Sequence, residues 1–143
     1  MILPDVNVLV YAERADFPQH SRYLAWLEET LFGTEPVALV APVIAGFLRV
    51  VTNARIHAVP TPLDQAIAFV DSMLTAPQAV TPMPSTRLVS TLVDMCRRSA
   101  AKGDLVPDAY LAAIAIDLDA ELVTADRGFA RFPGLRWRHP FDA

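Results

Sequence analysis

Three aspartates in distant parts of the chain are the residues best suited to chemistry. Asp5 and Asp126 each follow a short apolar run that reads as a strand, and Asp108 stands in the first turn of a predicted helix. In open α/β sheets, binding sites lie beyond the carboxyl ends of the strands, and helices often begin at the same edge. We therefore expect these three carboxylates to converge at one edge of a sheet.

A cluster of this kind favours a divalent cation. Three ionised carboxylates about 5 Å apart repel by roughly 3 kcal/mol per pair at an effective dielectric constant near 20. The sum, about 10 kcal/mol, is comparable to a domain's whole stability of roughly 5–15 kcal/mol, so the fold needs a cation or protonated acids. Oxygen ligands alone suit Mg²⁺, with Mn²⁺ as a substitute, whereas zinc usually brings histidine or cysteine. Such an ion activates water, which predicts hydrolysis of a phosphodiester.

Three further residues are candidates for supporting roles. Asn7 and Thr124 lie two residues from Asp5 and Asp126, where either can orient a carboxylate or a metal-bound water. Asp104 is a possible extra ligand four residues before Asp108, although the intervening Pro107 favours a loop or cap role.

Each of these residues also has an ordinary structural interpretation. Asp5 can cap the following helix, and Asp126 can close an Asx-turn. Asp108 can interact favourably with the positive end of a helix dipole. Asn7 and Thr124 are likewise common turn or cap residues. The sequence alone leaves both interpretations open for each side chain.

The composition of the chain limits the classes of protein to which it can belong. The 143 residues are 53% hydrophobic, which predicts one compact domain over residues 1–143. No apolar run reaches the roughly 20 residues of a membrane span, the N-terminus lacks a basic region typical of a signal peptide, and Cys96 is the lone cysteine. We therefore expect a cytoplasmic protein without a membrane partner.

A formal net charge of −4 does not attract a polyanion, so a nucleic-acid partner requires a local basic surface or a bound cation. Solvated surface arginines are the alternative interpretation of any basic residue considered for this role. The candidate phosphate contacts are Arg49, Arg55, Arg127 and Arg131.

Predicted strands alternate with predicted helices along the chain, which indicates a central, mainly parallel sheet in a three-layer α/β/α sandwich. The predicted strands are 2–5, 37–41 and 121–123, with a possible edge strand at 135–137. The predicted helices are 19–32, 43–53, a segment starting near residue 63, 85–102 and a buried, alanine-rich helix at 107–118.

Five segments carry a resemblance to a known family, and they follow one another along the chain in the order expected of that family. DVNVLVYA at 5–12, PDAYLAAIA at 107–115 and TADRGF at 124–129 resemble the PIN-domain nucleases. FLRVVTN at 47–53 and FPGLRW at 132–137 look like the VapC-type toxins of bacterial toxin–antitoxin pairs. The resemblance covers almost the whole chain.

The resemblance implies a PIN fold and Mg²⁺-dependent endoribonuclease activity, and it leaves the RNA substrate open between transfer RNA and ribosomal RNA. It also implies a homodimer and inhibition by a cognate VapB-type antitoxin, whose C-terminal segment covers the active-site groove. The family's metal ligands carry over onto Asp5, Asp108 and Asp126.

One position departs from the family pattern. Family members commonly have a glutamate in the helix after the second strand, where this chain has Gly46. With three acids, one firmly bound metal is a better prediction than two. The alternative is a PIN module that binds RNA or antitoxin without cleaving. An aspartyl-phosphate enzyme with Asp5 as the nucleophile fits poorly, because Asn7 stands where such a site usually needs a second aspartate.

Overall fold

The computed structural model describes residues 1–142, which form five short strands and six α-helices. The strands are β1 (Ile2–Pro4), β2 (Val37–Ala38), β3 (Ala79–Val80), β4 (Glu121–Val123) and β5 (Trp137–Arg138). The helices are α1 (Val6–Glu13), α2 (His20–Leu31), α3 (Ala41–Val51), α4 (Leu63–Leu74), α5 (Leu88–Ser99) and α6 (Val106–Asp117). Two 3₁₀ turns, Gly103–Leu105 and Arg127–Arg131, complete the described structure.

All five strands run parallel, in the order β3-β2-β1-β4-β5. In the central register, Ile2 pairs with Val37 on one side and with Glu121 on the other. This arrangement confirms the predicted α/β/α class with a mainly parallel sheet. Because β1 and β4 are parallel neighbours, the residues that follow Pro4 and Val123 emerge side by side at the same edge.

Helix α6 is the buried, alanine-rich helix that the sequence predicts. Ala109, Ala112, Ala113 and Ala115 are each fully buried. Small side chains let neighbouring elements approach the helix closely, and α5 packs along it. Pro107 near its N-terminus suits a helix start, since the missing N–H would have no partner inside the helix.

The structure differs from the predicted elements in several places, including α1 (Val6–Glu13), which was not among the predicted helices, and α3, which lies at 41–51 rather than 43–53. Strand β3 was not predicted, because its two residues are too few to give a pattern. The strand expected at 37–41 is only two residues long, since α3 already begins at Ala41. Helix α5 ends at Ser99 because Ala100 adopts a left-handed conformation (φ 54°). The edge strand lies at 137–138 rather than 135–137.

Among residues 1–142, none of the helices combines the length and the apolar character needed to cross a bilayer.

Candidate functional site

Asp5 links β1 to α1 and is nearly buried, with 7% of its surface exposed. Its backbone is extended (φ −78°, ψ 161°), and its Oδ1 accepts a hydrogen bond of 2.6 Å from the Val6 amide, so the side chain caps α1. Its own amide donates to the carbonyl of Val123 on β4 at 2.9 Å. The carboxylate is thus fixed at the carboxyl edge, between the two central strands.

Thr124 and Asn7 hold the other oxygen of this carboxylate. The fully buried Thr124 donates its hydroxyl hydrogen to Asp5 Oδ2 at 2.7 Å, and Asn7 Nδ2 donates to the same oxygen at 3.1 Å. Asn7 also accepts from the Ala125 amide at 3.2 Å, and Thr124 Oγ1 accepts from the Asp126 amide at 3.0 Å. The two side chains therefore connect the loop after β1 to the loop after β4.

Asp126 opens the 3₁₀ turn that follows β4. Its Oδ1 accepts from the Gly128 amide at 2.7 Å, and its side chain is exposed. A Cβ at position 128 would lie 2.8 Å from that oxygen, so glycine is what lets the turn close onto the carboxylate. The sequence indicates a turn at residues 126–128, where a glycine stands two residues after an aspartate.

Asp108 lies in the first turn of α6 and is partly buried. Within residues 1–142 its carboxylate accepts no hydrogen bond, in contrast to Asp5 and Asp126. Its position at a helix N-terminus provides favourable electrostatics for a negative charge.

The charges of the three aspartates influence one another. Burial raises the pKa of Asp5, the hydrogen bonds from Thr124 and Val6 oppose that rise, and the charges of Asp108 and Asp126 add to it. Burial also raises the pKa of Asp108, the charge of Asp126 adds to the rise, and the Arg131 guanidinium opposes it. Three acids from distant segments therefore act on one another electrostatically.

The donor set fits a hard divalent cation without forming a closed cage. Carboxylate oxygens that repel one another are the ligands that Mg²⁺ prefers, and this ion usually keeps several waters in its shell. Within the described chain, no three histidine, cysteine, aspartate or glutamate side chains already surround a common point at ligating distance. Asp108, which no hydrogen bond holds, is the carboxylate with the most freedom to approach an ion.

The remaining candidate residues differ in their distance from this centre. Arg131 donates from Nε to the Gly128 carbonyl at 2.8 Å and acts on Asp108, so it lies at the site. Arg127 forms an ion pair of 3.2 Å with Asp142. Asp104 is exposed in the 3₁₀ turn before α6 and is not among the groups that shift the pKa of Asp5 or Asp108.

Within residues 1–142, neither Arg49 nor Arg55 forms a hydrogen bond or ion pair with any of the three aspartates. Arg49 is exposed in the last turn of α3, and Arg55 is exposed in the loop that follows. Of the four candidate phosphate contacts, Arg131 and Arg127 are therefore the two on the turn that carries Asp126.

Gly46 marks the close approach of α3 to α1. A Cβ at this position would lie 2.8 Å from Cγ2 of Val6, the residue that follows Asp5. Any side chain here would require Val6 to move. The close contact with Val6 gives a packing reason for glycine at position 46.

A comparison with known families bears directly on this arrangement. The family model described as "PIN domain" matches residues 2–135. The chain belongs to the PIN domain family. This membership confirms the family resemblance of the sequence segments around Asp5, Asp108 and Asp126.

Individual PIN proteins are similar to this one over nearly their full length. Ribonuclease VapC43 of Mycobacterium tuberculosis is 45% identical over 142 residues, which are 99% of this chain and 97% of the relative. The VapBC2 structure from Rickettsia felis, bound to a DNA fragment from their promoter, matches with a TM-score of 0.70 and 22% identity, covering 97% of this chain and 98% of that one. M. tuberculosis VapC20, a sarcin-ricin loop cleaving toxin, matches with a TM-score of 0.66 and 14% identity over 95% and 99% of the two chains. The two structures support the fold.

Proposed function

We propose that this protein is a VapC-type toxin, an endoribonuclease that uses Mg²⁺ to hydrolyse RNA phosphodiester bonds. The observation that carries the proposal is the shared electrostatic environment of Asp5, Asp108 and Asp126 at one sheet edge. PIN ribonucleases are generally metal-dependent, and the similar VapC43 is named a ribonuclease.

In this mechanism Asp5, Asp108 and Asp126 hold the metal ion. When bound there, the ion would lower the pKa of a water for attack and would neutralise phosphate charge. The hydrogen bonds from Thr124 and Asn7 orient the carboxylate of Asp5, and the one from Thr124 opposes the rise in its pKa. Arg131, beside Asp126, contacts a substrate phosphate on the same side of the site.

We propose that one ion is bound firmly. Three carboxylates are available, and the position where relatives commonly have a fourth acid is Gly46, packed against Val6. Any second ion would need oxygens from the substrate phosphate to complete its shell.

The proposed substrate is a single-stranded loop of transfer or ribosomal RNA, because sequence-specific RNA recognition mostly targets unpaired bases. VapC20 is described as a toxin that cleaves the sarcin-ricin loop, which makes ribosomal RNA one concrete candidate. An RNA substrate of either kind is consistent with activity in the cytoplasm.

The proposed protein partners are a VapB-type antitoxin and a second copy of the chain. The structural neighbours include VapBC complexes, which supports the first of these. For the second, an apolar groove of about 760 Å³ runs between α3, α4 and α6 and continues into exposed Leu74 and Met83. Exposed apolar surface of this kind commonly marks a protein interface. Sedimentation of Met83→Asp against the unchanged protein tests whether this surface holds the dimer.

The direct test of catalysis is cleavage of RNA by the purified protein. We expect cleavage with Mg²⁺ or Mn²⁺, and none with EDTA or in the Asp5→Ala and Asp108→Ala variants. RNA binding without cleavage under any metal condition would favour the alternative, a non-catalytic PIN module. Cleavage that survives both substitutions would contradict the proposed site.

A further inference from the structure

The guanidinium of Arg22 on α2 lies over an aromatic ring at residue 141. Its Cζ atom is 3.9 Å from the ring centroid of Phe141. Arginine stacks on aromatic faces because its guanidinium is planar and weakly hydrated. Arg22 is exposed, so the stacked guanidinium borders on solvent.

The ring that supports Arg22 is itself firmly held. Phe141 packs on the buried Tyr23 with ring centroids 4.7 Å apart, and His139 meets Phe141 edge to face at 5.1 Å. The Phe141 amide donates to His139 Nδ1 at 3.2 Å, which fixes the two residues relative to each other. The result is a rigid base beneath the Arg22 guanidinium.

This cluster lies next to the proposed catalytic centre. The amide of Thr124, which holds Asp5, donates to the carbonyl of Arg138 at 3.1 Å, and His139 follows directly. On the other side, Arg127 follows Asp126 and reaches Asp142 at 3.2 Å. The segment 139–142 therefore borders the loop that carries two residues of the site.

Two arginines, Arg22 and Arg127, act on His139 in this cluster, although the whole chain is acidic. None of the ion pairs within residues 1–142 involves Arg22. The partner of Arg127 is the half-exposed Asp142, and exposed ion pairs of this kind are weak. Burial lowers the pKa of His139, and the charges of Arg127 and Arg22 lower it further while Asp142 opposes them, so both cations flank this ring.

We propose that Arg22, stacked on Phe141, and Arg127 form a nucleotide subsite beside the metal centre, where an unpaired RNA base stacks on the Arg22 guanidinium and Arg127 binds an adjacent phosphate. This inference rests on the proposed function, because it takes RNA as the ligand. Bases stack on guanidinium planes as well as on aromatic rings. In the free protein Arg127 forms an ion pair with Asp142, and in the complex the RNA phosphate replaces Asp142 as its partner.

An acidic peptide is the competing ligand for a basic surface. The flat, ring-supported guanidinium favours RNA, since a peptide carboxylate gains nothing from a stacking plane while a nucleobase does. The phosphate would replace Asp142 at a guanidinium fork that suits both anions.

The test measures binding of a fluorescein-labelled, single-stranded RNA octamer by anisotropy, in EDTA so that no cleavage occurs. We expect Arg22→Gln to weaken binding at least about fivefold, the lower end for loss of one stacked base. Arg98→Gln is the matched control, because Arg98 is an exposed arginine on α5 whose ion pair with Asp94 is 3.7 Å long. We expect it to change the Kd less than twofold.

Two variants of the supporting ring separate stacking from folding. Phe141→Leu should lower affinity as Arg22→Gln does, and Phe141→Tyr should retain it, with thermal unfolding confirming that both fold. Asp142→Asn should tighten binding. Equal affinities for Arg22→Gln and Arg98→Gln, or binding of hexaglutamate but not RNA through Arg22, would overturn the subsite.

The failure of this inference is distinguishable from failure of the proposed function. If the wild-type protein cleaves RNA and the Arg22→Gln variant has the same KM, the nuclease activity stands and the subsite is refuted. Protein that binds the octamer through Arg22 but never cleaves RNA would support the subsite and refute the nuclease.

Discussion

The proposed metal centre has two unlike halves. In the strand half, Asp5 is held by the Val6 amide, the Thr124 hydroxyl and the Asn7 amide. In the helix half, the carboxylate of Asp108 accepts no hydrogen bond within residues 1–142. Both have raised pKa values, chiefly because of burial. The difference indicates that the strand half is preorganised and that the helix half adapts when a cation arrives.

The two halves also explain why the ligand set is not already closed. Hydrogen bonds fix Asp5 in place, while repulsion from Asp126 acts against a closer approach of Asp108. A divalent ion reverses the sign of that interaction, since each carboxylate is attracted to the ion more strongly than it is repelled by its neighbours. We expect the largest movement on metal binding at Asp108.

The largest expected effect is loss of catalysis when a carboxylate of either half is removed. Asp5→Ala and Asp108→Ala should each reduce RNA cleavage by more than about 100-fold, the upper range for removing a residue that only supports a metal ligand. Asp104→Ala is the matched control, because this exposed aspartate precedes the same helix. A steady-state cleavage assay checks the three variants, and equal losses in Asp104→Ala and Asp108→Ala would contradict the assignment.

The next effect concerns the support of the strand half. Thr124→Val keeps the shape of the buried side chain and removes its hydrogen bond to Asp5, so Mn²⁺ affinity should fall about 10- to 100-fold. Thr124→Ser restores the hydroxyl and should recover most of the affinity. Calorimetric titration with Mn²⁺ measures both, and undiminished affinity in Thr124→Val would show that the helix half alone determines binding.

The strand half of the site and the alternation of strands and helices were the features best predicted from the sequence. Asp5, Asp126 and Thr124 follow predicted strands, and the carboxyl ends of adjacent parallel strands meet. Helix α6 was predicted because its apolar character is continuous over residues 107–118. Strand β3 was not, since two residues leave no period to detect. The stacking of Arg22 on Phe141 joins opposite ends of the chain, and only tertiary packing brings it about.

A smaller effect is the pH dependence of both halves. Because the pKa values of Asp5 and Asp108 are raised, protons compete with the metal at higher pH than for ordinary aspartates, so Mn²⁺ affinity should fall as the pH drops toward those values. In the metal-free protein, acidification has the opposite effect, and it stabilises the fold. Between the unfolded value of 3.8 and the raised folded values, the folded state binds more protons, so the free energy of unfolding increases as the pH falls through that window.

Thermal unfolding with and without Mn²⁺, measured from neutral pH downward, checks this prediction. The stabilisation by Mn²⁺ should shrink on acidification while the metal-free protein gains stability at these two groups. An unchanged Mn²⁺ effect down to pH values near the ordinary aspartate pKa would contradict the raised values.

The smallest expected effect is a gain in stability from Asp108→Asn in the metal-free protein. This change removes a partly buried charge that Asp126 repels, so the free energy of unfolding at neutral pH should rise by a few tenths to about 1 kcal/mol after allowance for solvent screening. Urea unfolding measures it. In saturating Mn²⁺ the variant should be less stable than the unchanged protein, because it lacks a metal ligand. A variant that is also less stable without metal would refute the proposed repulsion between Asp108 and Asp126.

A crystal structure grown with Mn²⁺, with the ion located by its anomalous scattering, tests the shared ion most directly. The account predicts one strong peak contacted by Asp5, Asp108 and Asp126, with Asp108 moved the furthest from its metal-free position. A peak elsewhere, or three carboxylates directed to separate places, would contradict it.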